Sequence, residues 1–140
     1  MQITKNFTLA ELTDSTTARI RKIDNTPNEE PKKNLIQLIK NILQPVRDKF
    51  NHPITVNSGF RSINLNKAVG GVATSQHLKG EAADITSHDN KKLWDLFVSM
   101  IKNNEIEVGQ LIWEKGNSKA PKWIHVSLPT KKHKNQILRL

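Results

Sequence analysis

The sequence predicts one α+β domain over residues 1–140, in which helices pack on one face of a small, largely antiparallel sheet. Helical periodicity is found mostly in the early part of the chain, whereas short alternating runs typical of strands come mostly later. The 140 residues, of which 36% are hydrophobic, supply one modest core. A second domain is therefore not expected.

Two helices are predicted in the first 50 residues. The run "TLAE" at Thr8 to Glu11 fits a capping box, which starts a short helix. A longer amphipathic helix is predicted from Pro31 to about Phe50, and Pro45 is expected to kink it or to end it early. Its apolar residues recur at helical spacing: Leu35, Leu38, Ile39, Ile42, Leu43 and Val46.

A strand, a turn and a short helix are predicted next. The run "PITV" at 53–56 predicts a short strand, and "SGFRS" at 58–62 predicts a turn. The run "INLNKAV" at 63–69 predicts a short helix that is closed by Gly70 and Gly71.

Three strands and one helix are predicted in the second half. The run "EAADIT" at 81–86 alternates as a strand does, and "NKKLWDLFVSMIKNN" at 90–104 returns to the helical period. The last two predicted strands are "VGQLIWE" at 108–114 and "KWIHVSL" at 122–128.

The chain is basic, with a formal net charge of +9, and part of this charge lies near the C-terminus in "KKHKNQILRL". Such an excess favours polyanionic partners, which include nucleic acid, anionic membranes and the anionic wall polymers of bacteria. Only 5% of the residues are aromatic, and no patch interleaves Lys or Arg with Phe or Trp for base stacking. A nucleic-acid partner is therefore not expected.

The sequence lacks the patterns of membrane and secreted proteins. It has no run of about 18 apolar residues, so no membrane partner is expected. The start, "MQITKNFTLAELTD", has no basic segment followed by an apolar stretch, and we expect synthesis in the cytoplasm without a signal peptide. Because the chain has no cysteine, any metal must be held by nitrogen and oxygen ligands.

The stretch "TSQHLKGEAADI" places His77 and Asp84 seven positions apart. A turn at Lys79 and Gly80 would fold His77 back toward the strand that carries Asp84, since glycine accepts the positive φ that such reversals often need. In that strand the acid lies among small alanines, which leaves room beside it.

A third candidate ligand lies in "KWIHVSL", where Ile124 and Val126 alternate with His125. The aliphatic row can pack into the core while His125 projects from the opposite face, which it could share with Asp84. Two histidines and one carboxylate with an open position form a catalytic zinc site, although the same set also holds Fe(II) in oxygenases. The alternative is that each of these residues is an ordinary strand or turn residue.

The run "ITVNSGFRSINLNKAVGGVATSQHLKGEAADI", together with "QLIWE" and "WIHVSL", resembles a known family. It is similar to the zinc D-alanyl-D-alanine carboxypeptidases and the related L-alanyl-D-glutamate endopeptidases of phages, whose fold is shared with the Hedgehog signalling domain. The resemblance extends through "FTLAELT" and "LQPVRDKF" and covers most of the chain. The metal motif of the family falls on Ser75, His77, Asp84 and His125.

The resemblance implies a zinc peptidase that cuts peptidoglycan peptides and has the Hedgehog/DD-peptidase-like fold. It implies Zn2+ as cofactor, with His77, Asp84 and His125 as ligands. Ser75 would hydrogen-bond the substrate; alternatively it stabilises the loop before His77. Arg61 in "SGFRS" is the best cation for a developing oxyanion or a substrate carboxylate, and the arginine of the family motif looks similar. Its alternative role is a surface salt bridge.

The general base is where the sequence departs from the family pattern. Many relatives carry Glu or Asp three residues before the last histidine, and this chain has Lys122 there. A lysine does not replace a carboxylate in that role without a large pKa shift. The nearest acid is Glu114, which a hairpin could bring toward the metal, unless it is a solvent-facing strand end.

Two function classes follow. The first is a monomeric zinc peptidase acting on peptidoglycan stem peptides, made by a phage or prophage and reaching the cell wall after release. The second is a zinc-binding structural or wall-binding module of a phage particle that has lost catalysis. Lys122 supports the second class unless Glu114 supplies the base.

Overall fold

The computed structural model describes all 140 residues. The α-helices are α1 (Leu9–Thr13), α2 (Thr16–Arg21), α3 (Glu29–Leu38), α4 (Gln44–Phe50), α5 (Ile63–Ala68) and α6 (Asn90–Lys102). The strands are β1 (Thr55–Ser58), β2 (Ala82–Thr86), β3 (Gln110–Glu114), β4 (Trp123–Ser127) and β5 (Gln136–Arg139). They form one sheet in the order β1-β2-β4-β3-β5, which is antiparallel except for the parallel β3 and β5 pair. The predicted α+β class with a largely antiparallel sheet is confirmed.

The predicted capping box begins α1. The Thr8 side chain accepts a hydrogen bond from the Glu11 N–H at 3.2 Å, and the Glu11 carboxylate accepts one from the Thr8 N–H at 3.0 Å. Two backbone donors that the first turn leaves without helical partners are thereby satisfied.

The long helix does not end at Pro45, contrary to one of the two outcomes expected for it. A π-helical segment, Ile39–Leu43, joins α3 to α4, and the Gln44 N–H reaches back five residues to the Ile39 carbonyl. Proline has no N–H, and its ring crowds the carbonyl four residues earlier, so a wider turn accommodates it. The helix then continues to Phe50. None of the helices in the chain has the length and apolar character that crossing a membrane requires.

The core lies between the helices and one face of the sheet. The apolar row of the long helix is fully buried, as predicted from its spacing. It packs in the same cluster as the inward residues of the sheet, which include Ala83, Ile85, Leu111, Ile124 and Val126. Because side chains alternate along a strand, the polar residues between these positions lie on the other face.

The C-terminal segment corrects the sequence prediction, which counted four strands and placed none after residue 128. Residues Gln136–Arg139 form β5, which pairs in parallel with β3 from Gln110 to Trp113. The predicted strand at 53–56 also lies later than expected, at Thr55–Ser58. Short edge strands have one unpaired side, so they do not need the alternation by which buried strands are found.

Candidate metal centre

The pairing of β2 with β4 places Asp84 directly opposite His125. Residues directly opposite each other on antiparallel strands point to the same face. Ala83 and Val126, the next pair, point into the core instead. The predicted sharing of one sheet face by Asp84 and His125 is therefore what the register produces.

A turn brings His77 to the same face. His77 lies in a 3-10 turn, Gln76–Lys79, that ends at Gly80 with φ +69°. A Cβ at Gly80 would lie 2.4 Å from the Pro31 carbonyl oxygen, so both the left-handed backbone and the close approach require glycine. The His77 ring is buried. The reversal predicted at Gly80 folds the histidine back over β2.

The three predicted ligands converge. One ligand atom from each of His77, Asp84 and His125 lies within 4.8 Å of the others. The Asp84 carboxylate is 3.4 Å from His77 Nε2 and 3.0 Å from His125 Nδ1. Two ligands of a tetrahedral zinc ion, each about 2.1 Å from the metal, are about 3.4 Å apart. The cluster therefore has the donor types and the spacing that zinc requires.

The second nitrogen of each ring also fits a metal site. His77 Nδ1 is 2.7 Å from the Gly59 carbonyl oxygen, and His125 Nε2 is 2.9 Å from Gln76 Oε1. Oxygen acceptors at these nitrogens favour protons there, which leaves lone pairs on His77 Nε2 and His125 Nδ1. Metal-binding histidines commonly have this arrangement, with the outer N–H held by a carbonyl or carboxylate.

The charge of Asp84 supports the same conclusion. Burial raises the pKa of the Asp84 carboxyl, but when the facing ring nitrogens of His125 and His77 carry protons, their hydrogen bonds and charge outweigh burial and hold that pKa well below its usual value. The carboxylate therefore stays ionised at neutral pH. An ionised carboxylate facing two imidazole lone pairs requires a cation between them, and a proton or a metal ion meets this requirement.

Arg61 lies beside the cluster with one donor group free. Its Nη1 donates to Asn66 Oδ1 at 3.2 Å and its Nε to Ser58 Oγ at 3.4 Å. Nη2 has no hydrogen bond in the protein and faces the Asp84 carboxylate at 4.0 Å. Burial lowers the pKa of Arg61, the charge of Asp84 opposes that shift, and a guanidinium remains charged at neutral pH. A fixed cation with an unused N–H is suited to a substrate oxygen.

Gly71 helps to fix Arg61. A Cβ at this position would lie 2.1 Å from Asn66 Oδ1 and 2.8 Å from Arg61 Nη1. The absent side chain thus makes room for the contact between the amide and the guanidinium.

We expect Arg61→Lys to lower turnover of a peptide substrate by about tenfold or more, because lysine keeps the charge and loses the planar fork. Because the ammonium group of lysine can replace one of the two contacts, the free energy of unfolding should fall by about 1.5–3 kcal/mol, the usual cost of one hydrogen bond to a charged group. Steady-state kinetics and chemical denaturation measure the two effects. Arg21→Lys, at an exposed position without a hydrogen-bond partner, is the matched control. An unchanged turnover would remove Arg61 from the site.

Ser75 makes the contact that its structural role predicts. Its Oγ accepts a hydrogen bond from the His77 N–H at 3.2 Å and caps the 3-10 turn. The side chain also lines the groove next to the cluster, so the substrate contact implied by the family resemblance stays a prediction.

A groove of about 740 Å³ opens beside the cluster, and Glu114 and His125 both line it. Ile112 lies directly opposite His125, and Glu114 lies two residues farther along β3 on the same face. Diagonal neighbours of this kind are about 7–8 Å apart, a separation that a carboxylate and one water molecule can span. Glu114 forms no ion pair, whereas Lys122 is exposed before β4. Glu114 is thus a half-buried residue that lines the groove, and its role as the general base stays a prediction.

Several groove residues were not identified from the sequence. Gln76 contacts His125, and Glu81 is a second carboxylate in the groove. Lys79, Lys131 and Lys132 also line it. Gln76, Lys79 and Glu81 lie in the same stretch as His77 and Asp84, which was the available signal, whereas Lys131 and Lys132 reach the groove from a separate loop.

The comparisons with known proteins agree with this geometry. A family model described as Peptidase M15 matches residues 5–127. The zinc D-Ala-D-Ala carboxypeptidase of Streptomyces albus G is 58% identical over 33 residues, which make up 24% of this chain and 13% of that protein. This second match is local and leaves most of the relative unmatched. The family match spans nearly the whole domain and includes all three candidate ligands, and the chain belongs to the peptidase M15 family.

Proposed function

We propose that the protein is a zinc-dependent peptidase that hydrolyses peptide bonds in the stem peptides of bacterial peptidoglycan, as a carboxypeptidase or an endopeptidase. The observation that carries the proposal is the convergence of His77, Asp84 and His125 at one end of an open groove in a chain of the M15 family. The name of the partial relative, a zinc D-Ala-D-Ala carboxypeptidase, supports the choice of metal and of substrate class.

His77, Asp84 and His125 would hold the ion. Bound zinc would polarise the scissile carbonyl and make a water molecule more acidic. The outer contacts of the two histidines, to Gly59 and Gln76, keep the ring nitrogens aimed at the ion. The protein thus supplies a pre-organised set of ligands that needs little rearrangement.

Glu114 and Arg61 would carry the remaining chemistry. Glu114 takes a proton from the attacking water and later delivers it to the leaving amine, as a general base that then acts as a general acid. Arg61 Nη2 donates to the oxygen on which negative charge develops, or to a substrate carboxylate. The two residues approach the cluster from opposite sides, because Arg61 follows β1 and Glu114 ends β3.

The charges of the groove support an acidic peptide as substrate. Lys79, Lys131 and Lys132 line it, and none of the three forms an ion pair. The turn that carries Lys131 and Lys132 is closed by two hydrogen bonds between Thr130 and His133, at 2.9 and 3.1 Å. Stem peptides carry free carboxylates, and the net charge of +9 would attract the anionic wall that contains them.

A second candidate function is a module that binds zinc and the wall without hydrolysis. It is favoured by Lys122, which stands where many relatives have the acid. This module would keep the ligand cluster and the groove but would have no residue able to take the proton.

The test combines a metal analysis with a digest. The protein, loaded with one equivalent of zinc, is incubated with purified peptidoglycan and with synthetic stem peptides, and the products are identified by mass spectrometry. We expect released D-alanine or a new amino terminus, loss of cleavage after chelation, and recovery when zinc is restored. Stoichiometric zinc without any product would favour the binding module, and a preference for Fe(II) would refute the choice of metal.

A further inference from the structure

Gln76 joins the 3-10 turn to the centre of the sheet. Its Oε1 lies 2.9 Å from His125 Nε2, and its Nε2 lies 3.3 Å from Ser127 Oγ. Ser127 is fully buried, and its Oγ also accepts the Gln110 N–H at 2.9 Å. The side chain of Gln76 is thus held at both ends of its amide group.

We infer that Gln76 is a positioning residue that sets the tautomer and the ring orientation of His125 and thereby the affinity of the site for its metal. The inference rests on the proposed zinc site and deepens it. A neutral imidazole has one N–H. An oxygen acceptor at Nε2 keeps the proton there and leaves the Nδ1 lone pair facing the Asp84 carboxylate, 3.0 Å away.

The two histidines differ in the group that accepts the hydrogen bond of the outer ring N–H. The N–H of His77 is held by a backbone carbonyl, that of Gly59, which no side-chain substitution removes. The N–H of His125 is held only by the side chain of Gln76. Gln76 is therefore the point at which a single substitution changes the metal site without touching a ligand.

An amide suits this position because it offers an acceptor without adding charge. A carboxylate would also accept the His125 N–H, and carboxylate partners of metal-bound histidines are common. Methionine has a similar length, but its sulfur is a weak acceptor. Comparing glutamine, glutamate and methionine at position 76 thus separates the effect of the hydrogen-bond acceptor from the effect of side-chain volume.

The experiment measures zinc affinity by competition with a chromophoric chelator. We expect Gln76→Met to weaken zinc binding by about 10–100-fold, the usual effect of losing an outer partner. The zinc affinity of Gln76→Glu should be no more than about threefold below that of the parent, because a carboxylate acceptor makes the ligand nitrogen of His125 more basic. Nitrogen-15 NMR of the zinc-loaded parent should show the His125 proton on Nε2.

Ser127→Ala is the control for a merely structural role. It removes the partner of the Gln76 amide nitrogen and leaves the acceptor oxygen in place, so it should lower stability while zinc affinity stays near that of the parent. Gln76→Met binding zinc as tightly as the parent, or a His125 proton on Nδ1, would overturn the inference. So would a parent that binds no zinc. A parent that shows the predicted affinities but cleaves no wall peptide would refute the proposed peptidase and leave the role of Gln76 intact.

Discussion

His125→Ala is expected to remove stoichiometric zinc from the protein. The site offers three protein ligands, and the substitution leaves only His77 and Asp84 to hold the ion. Loss of an outer hydrogen-bond partner alone typically lowers metal affinity by about 10–100-fold, so loss of a direct ligand should exceed that range. The zinc content per chain, measured after dialysis against a metal-free buffer, reports the effect.

The same variant should also be less stable without metal. Asp84 would keep only His77 at 3.4 Å and the Arg61 guanidinium at 4.0 Å as partners. In the metal-free parent a proton on the facing ring nitrogen joins His125 Nδ1 to Asp84 at 3.0 Å, and losing this hydrogen bond at a half-buried carboxylate lowers the free energy of unfolding by about 1–3 kcal/mol. Denaturation of the metal-free parent and variant measures this difference.

His133→Ala is the matched control. His133 lines the same groove, but it is not part of the three-residue cluster. The control variant should bind one zinc per chain with the affinity of the parent. If His125→Ala did so as well, the assignment of the ligands would be wrong.

Glu114→Gln is expected to reduce peptide hydrolysis by about 10²–10⁴-fold, the usual contribution of a general base. Glutamine keeps the shape of the side chain and cannot take a proton from water. Zinc content should not change, because Glu114 is not one of the three clustered ligands. The rate is measured on a stem peptide at saturating zinc, together with the metal content of the same preparation.

Glu81→Gln is the control, since Glu81 is the other carboxylate that lines the groove. Glu81 lies just before β2, at the end of the site opposite Glu114. Its substitution should therefore leave the rate of hydrolysis within about threefold of the parent. A parent that is active and a Glu114→Gln variant that is equally active would exclude Glu114 as the base. A larger loss in Glu81→Gln would transfer the role to that residue.

The sequence by itself determined which side chains face the core and which face the site. The alternation of Ile124, His125 and Val126 fixes the orientation of His125 once the segment is a strand, because side chains alternate across a sheet. The helical spacing from Leu35 to Val46 determined the buried face of the long helix in the same way. These properties repeat over a few residues, and so a local pattern is sufficient to encode them.

The local sequence was also sufficient to predict two turns. The capping box at Thr8 and the reversal at Gly80 depend on backbone conformations that particular residue types favour. The π-helical segment before Pro45 was not predicted, because proline disfavours a regular helix there without determining how the chain relieves the conflict. Packing of the flanking apolar residues in the core favours continuation over termination.

Only the tertiary structure decided which distant residues meet. The register of β2 against β4, the pairing of β5 with β3 and the contact of Gln76 with His125 join segments up to 49 positions apart. The tertiary structure also brings Glu114, Lys131 and Lys132 into one groove. No local period encodes such contacts, because they depend on the free energy of packing whole elements together, to which each side chain contributes only a small part.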